Sequence, residues 1–164
     1  MDVSARMNEN QPNLQASILD RLIDLEPEVS KEPVQFRLQD LRQAKAAVVR
    51  DLENLLNTKR PFEDPPEALR SLRDSLFVYG LKDFTGQNPK ASAVRQQLRL
   101  EIERSIARFE PRLRNVVVHL DADGDKERIL RFRISAVLIV EPLAEPVTFD
   151  TVLDLNRAQY KVAG

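Results

Sequence analysis

Arg108-Phe109-Glu110-Pro111-Arg112-Leu113 joins the longest helical pattern of the chain to its strongest strand pattern. It also places an acid where a helix disfavours one. The C-terminal end of a helix is partly negative, so Glu110 there costs about 0.3–1 kcal/mol unless something offsets it. Pro111 lacks a backbone N–H and drives the preceding residue towards extended geometry, which predicts a helix end near Glu110. Arg104, Arg108, Arg112 and Arg114 flank the acid and are candidates for the offset. A local rule broken beside its own compensation marks a candidate functional site, whereas a merely solvated helix end would carry surface ion pairs of little worth.

Upstream of this stretch, Val94, Leu98, Ile102, Ile106 and Phe109 recur three or four residues apart and predict an amphipathic helix. Asn88-Pro89 reads as its N-cap and first residue. An earlier helix is expected over 38–56, with Leu41, Ala44, Val48, Leu52, Leu55 and Leu56 on its core face. Another is expected over 67–79, with Leu69, Leu72, Leu76 and Tyr79 inward and Gly80 as a left-handed cap. Ile18, Leu19, Leu22, Ile23 and Leu25 outline a short amphipathic helix that must dock on its own core or on a partner, because so short a helix is unstable alone.

Downstream, the period changes from helical to alternating. Val116 to Leu120 is β-branched, and Asp121 to Asp125 is turn chemistry. In 129–140, Leu130, Phe132, Ile134, Ala136, Leu138 and Val140 fall on one face. The opposite face is polar at its start and apolar towards its end, so that end is expected to be covered. Glu141-Pro142 and Glu145-Pro146 read as a loop. Val147, Phe149, Thr151 and Leu153 follow as a third strand, and Gln159 to Val162 as a short fourth. Helices first and strands last define an α+β fold, N-terminal helices followed by a small antiparallel β-sheet packed on them. The expected divisions are a disordered tail over 1–17, a short helix and connector over 18–35, and a single α+β domain over 36–164.

Composition narrows the chemistry. The chain has 164 residues, 25 basic and 26 acidic, and a formal net charge of -1, so no global attraction to nucleic acid or an anionic membrane is indicated. Without cysteine there is no disulfide framework, thiolate metal site or thiol nucleophile. The N-terminal residues lack the apolar core of a signal peptide, and the longest apolar run is far too short to span a membrane. The Asp121-x-Asp123-x-Asp125 spacing lacks the glycine and the bidentate Glu of a calcium loop, since those positions hold Lys126 and Phe132. His119 is the only histidine and has no ligand spacing around it. No glycine-rich phosphate loop or nucleophile elbow occurs. Glycoside hydrolysis needs paired carboxylates, one with a raised pKa, and arginines around Glu110 would act in the wrong direction. Lys126, Arg128, Arg131 and Arg133 make a basic strand start, yet the chain has no Trp and only two Tyr to stack on bases. No catalytic residue, cofactor site, metal site or small-molecule substrate is therefore assigned.

Five segments carry a family resemblance: Leu19-Asp20-Arg21-Leu22, Arg50 to Thr58, Ser75 to Asp83, Ile106 to Leu113, and Phe149 to Asp154. In that order they resemble the TssE family of bacterial type VI secretion baseplate subunits, itself similar to a wedge protein of contractile phage tails. Phe77-Val78 and Lys82 depart slightly from the usual residues. The resemblance implies a structural, non-enzymatic protein of the cytoplasm, in a baseplate docked against the inner membrane without itself inserting. It implies wedge partners TssF and TssG, a neighbouring TssK, and a sheet that templates the first sheath ring of TssB and TssC. Glu110, Pro111 and Arg112 match the family signature and are the implied partner-binding residues, with charge-assisted bonds expected across the wedge interface. The C-terminal strands, about Phe149 to Val162, are the expected free edge. The competing reading is a peptidoglycan hydrolase, a lysozyme-like label that the family has carried.

Overall fold

In the computed structural model, the described residues are 14–15, 22, 38–39, 41–60, 65–66, 68–73, 75–84, 86–88, 91–121, 129–140 and 143–164. The expected helix around Ile18 to Leu25 lies outside them except for Leu22, which is helical and exposed. The turn over 122–125 also lies outside. Strand β1 (Leu14–Gln15) pairs antiparallel with β2 (Leu38–Gln39), so residues 14–15 and the expected start of the next helix are extended.

Helix α1 (Leu41–Asn57) forms as its periodicity predicts, burying Ala44, Ala47, Val48, Leu52, Leu55 and Leu56 on one face. The Thr58 hydroxyl donates to the Asn54 carbonyl at 2.7 Å and satisfies one of the acceptors left at the helix end.

The continuous helix expected over 67–79 does not form. Instead there is one turn of α2 (Arg70–Arg73) and a 3-10 turn over Leu76–Val78. Ser75 separates them: it is extended, and its hydroxyl oxygen accepts the Phe77 N–H. A serine side chain that bonds nearby backbone competes with helix continuation in this way. Leu69 and Leu76 are consequently exposed, and Val78 is buried instead. Gly80 does take the left-handed conformation expected of it, at φ +99°. A Cβ there would also lie 2.3 Å from the Thr58 carbonyl oxygen, so glycine is required on two counts.

Helix α3 (Ser92–Phe109) starts later than Asn88-Pro89 suggests. Ala91 is its N-cap, and Asn88 instead accepts the Ala91 N–H at 3.1 Å in the preceding turn. Its stripe is as expected: Leu98, Ile102 and Ile106 are buried, and Phe109 packs at the margin of the core.

The sheet is antiparallel, in the order β3-β4-β5-β6. The strands are β3 (Leu113–Leu120), β4 (Ile129–Val140), β5 (Leu143–Asp154) and β6 (Gln159–Ala163). Helices followed by an antiparallel sheet make the expected α+β fold. Two strands begin earlier than their alternation shows. In β3, Asn115 and Val116 stand opposite the single residue Ala136, and Asn115 sits at φ 54°, which Asn tolerates better than most residues. This bulge inverts the inward parity, so Leu113 before it and Val118 after it both reach the core. In β5, the expected loop at Glu145-Pro146 is strand, paired with Leu138 and Val137.

One core joins helices and sheet. Leu52, Leu56, Ile102 and Ile106 pack in it with Phe132, Ile134, Leu138 and Phe149, and full burial of each such side chain contributes about 1.5–3 kcal/mol. On the opposite sheet face, Val137 and Ile139 are half-buried and Arg131 and Arg133 exposed.

Candidate functional site: the Glu110-Pro111-Arg112 corner

The chain turns from α3 into β3 at Glu110, Pro111 and Arg112. Glu110 caps the helix, its N–H donating to the Ile106 carbonyl at 2.9 Å. Its own carbonyl accepts the Leu113 N–H at 3.1 Å and closes the turn. On the far side, Ile139 donates its N–H to the Arg112 carbonyl at 2.7 Å, tying the corner to β4. Pro111 stands exposed at the apex, where its missing N–H leaves no bond unmade.

The Glu110 side chain is turned inward and only 4% of the residue is exposed. Arg112 holds both of its oxygens: Nε donates to Oε1 at 2.7 Å, and Nη2 to Oε2 at 2.6 Å. The Arg112 N–H adds a longer bond to Oε1 at 3.3 Å. The same Nη2 donates to Asp51 Oδ2 on α1 at 2.5 Å, and Arg50 completes the row through Asp51 Oδ1 at 3.0 Å. A bidentate guanidinium–carboxylate pair is among the stronger hydrogen-bonded contacts in proteins. It offsets the unfavourable position of an acid at a helix C-terminus. The hydrogen bonds from Arg112 to Glu110, and then the charge of Glu110 and the bond to Asp51, hold the guanidinium proton well above the ordinary arginine range. Tyr79 packs edge-on against Phe109 with ring centroids 5.1 Å apart. Burial, followed by the negative charges of Asp51 and Glu110, raises its hydroxyl pKa.

The structure therefore brings the three sequence-selected residues together but gives Glu110 an intramolecular partner. The other arginines of the opening stretch, Arg104, Arg108 and Arg114, are exposed. Tyr79 reads in the sequence only as an inward core residue, and Asp51 has no sequence signal beyond the family resemblance of the segment that contains it.

Residues considered for other chemistry are scattered. His119 is exposed on β3, opposite Arg133, which itself pairs with Asp150 at 2.9 Å. Among the described residues no group of three or more His, Cys, Asp or Glu side chains is placed to hold a metal ion. A cavity of about 30 Å³ between Leu56, Leu81, Leu153 and Tyr160 is small and largely apolar. Among the described residues no helix is long and apolar enough to cross a membrane.

Helices laid on an antiparallel sheet, with a fixed charged corner between the two layers, define the class as an α+β domain. The model of the family described as "Baseplate wedge protein gp25" matches residues 42–143, more than half of the chain, and the chain belongs to that family. The resemblance read from the five segments is thereby borne out. No curated protein matches the chain significantly in sequence. Among solved structures it is similar to a chain of "The baseplate complex from the type VI secretion system", with 18% identity and a TM-score of 0.44 over 68% of this chain and 94% of that one. A likeness of that size carries no argument, and the family assignment stands on the sequence match.

Proposed function

We propose that this chain is the TssE-type subunit of a type VI secretion baseplate, a non-catalytic adaptor. In this reading residues 36–164 form the wedge domain, and the protein works in the cytoplasm at a baseplate docked on the inner membrane. The Glu110-Pro111-Arg112 corner joins it to TssF and TssG, with TssK nearby. Its sheet initiates the sheath by accepting an extended segment of the TssB and TssC subunits through backbone hydrogen bonds.

The observation that carries this reading is the corner itself, in a member of a baseplate wedge family. Glu110 and Arg112 fix the corner from within, so Pro111 and the outer rim of Arg112 are presented on a rigid support. A preorganised surface of this kind loses little conformational entropy on binding. The alternative, a peptidoglycan hydrolase, finds little chemistry in Glu110. A general acid must have a proton to donate to its substrate, whereas both oxygens of this carboxylate accept hydrogen bonds from Arg112.

Co-expression with TssF and TssG tests the proposal. Recovery of a stable complex supports it, and failure of the folded chain to co-purify contradicts it. A turbidity assay on cell walls separates the alternative: clearing by the wild type that Glu110→Gln abolishes would establish the hydrolase.

A further inference from the structure

The Arg112 guanidinium carries N–H groups on three nitrogens, one on Nε and two on each Nη. The corner uses two of these nitrogens. Nε donates to Glu110 Oε1 at 2.7 Å, and Nη2 donates to Glu110 Oε2 at 2.6 Å and to Asp51 Oδ2 at 2.5 Å. Among the described residues Nη1 makes no hydrogen bond, and a quarter of the Arg112 side chain is exposed. The guanidinium is planar and rigid, so the way its bonded edge is held decides where Nη1 points.

Glu110 alone does not fix that direction. Among the described residues, every hydrogen bond to its side chain comes from Arg112, so the two hold each other across one proline. Asp51 supplies a reference from another element. It lies in the interior of α1, between Val48 and Leu52, which are fully buried in the core. Its Oδ2 accepts Arg112 Nη2, and its Oδ1 accepts Arg50 Nε at 3.1 Å and Nη2 at 3.0 Å. With both oxygens engaged, the Asp51 carboxylate cannot turn from Arg112 without breaking its bonds to Arg50. Exposure rises along this row, from 6% for the Glu110 side chain to 25% for Arg112 and Asp51 and 36% for Arg50. The row therefore runs from the core to the surface, with Arg50 at its outer end.

We infer that Asp51 is the positioning residue of the corner, holding Arg112 so that Nη1 offers its N–H groups to a carboxylate of the partner protein. The inference rests on the proposed docking of this corner in the wedge. The local charge favours an acid over a base as the partner group. Within the row Asp51 and Glu110 are matched by Arg50 and Arg112, and exposed Arg104 and Arg108 add positive charge on the last turns of α3. Those two arginines lie four residues apart, a like-charge spacing that an isolated helix disfavours. A negative group arriving at Nη1 meets this excess, and complementary charge across an interface selects the partner and its orientation.

Affinity for purified TssF and TssG, measured with folded full-length variants, tests the assignment. Removing Asp51 takes away a negative charge, so charge alone would strengthen the hold on an acidic partner. Positioning predicts the reverse. Asp51→Ala weakens the complex about tenfold, the scale of one charge-assisted hydrogen bond. Asp51→Asn keeps the shape of the side chain and an acceptor for Nη2, and it recovers part of that loss. In an Arg112→Gln background Asp51→Ala adds less than about twofold, because its effect passes through Arg112, whereas a merely structural role would weaken both backgrounds equally. The wild-type complex also weakens more steeply with added salt than that of Arg112→Gln. Unchanged or tighter binding by both Asp51 variants, or equal losses in the two backgrounds, overturns the positioning role and leaves the docking corner standing. Equal salt dependence overturns the carboxylate as partner group. A wild-type chain that binds neither TssF nor TssG overturns the docking reading and the inference with it.

Discussion

Arg112 grips the carboxylate of Glu110 with two side-chain nitrogens, at 2.7 and 2.6 Å, across a single intervening proline. Glu110 is buried, while a quarter of the Arg112 side chain remains exposed. The pair thus holds the helix-to-strand corner from inside and leaves Pro111 at the surface.

Glu110→Gln keeps the shape of the side chain but removes its charge and one acceptor. Hydrogen bonds to charged groups contribute about 1.5–3 kcal/mol each. The contact with Asp51 survives, so the lower end applies, and the expected fall in Tm is about 3–6 °C for a chain of this size. Differential scanning calorimetry checks this, and a Tm within about 1 °C of wild type would contradict it. Structure therefore changes what an acid-to-neutral variant reports: any loss of partner binding by Glu110→Gln or Glu110→Ala must be corrected for lost stability.

Thr151 is 1% exposed in the centre of β5, and its hydroxyl has no hydrogen-bond partner among the described residues. Burial of an unpaired hydroxyl costs about 1–3 kcal/mol in proteins. Thr151→Val replaces it with a methyl group of similar size. We expect a gain of about 1 kcal/mol in urea denaturation at an unchanged m-value. A loss of stability would show that the hydroxyl is satisfied.

Both tyrosines of the chain have raised hydroxyl pKa values. Burial is the first cause in each case, followed at Tyr79 by Asp51 and Glu110 and at Tyr160 by Asp83. The folded chain keeps these protons at pH values where the unfolded chain, at an ordinary 10.0, releases them. Their contribution to stability is therefore complete below pH 10 and lost as pH rises through the folded values. Tyrosinate absorbance should rise only above pH 10, with alkaline unfolding close behind. A full two-tyrosine titration centred at pH 10 in the folded chain would contradict the burial seen here.

Much of the fold was legible from periodicity alone. The stripe from Val94 to Phe109 and the alternation from Ile129 to Val140 each repeat one geometry without interruption. The errors fall where a local contact overrides the pattern. Ser75 divides the leucines of 67–79 between two short turns. The bulge at Asn115 and Val116 shifts the parity of β3 and conceals its first three residues. Pro146 looks like a loop residue, yet it pairs with Val137 inside β5. At the corner, the helix end and its acid were legible. The partner choice was not, because Asp51 lies on another helix and reaches Arg112 only through the tertiary fold.

The central claim is that the Glu110-Pro111-Arg112 corner is where this subunit joins its wedge. Photo-crosslinking from position 111 in the complex with TssF and TssG tests it most directly, because Pro111 is exposed at the apex of the corner. Adducts from position 111 to TssF or TssG, with few from Lys161 on the outer sheet face, are the predicted result. An assembled complex in which position 111 gives no adduct would contradict the account.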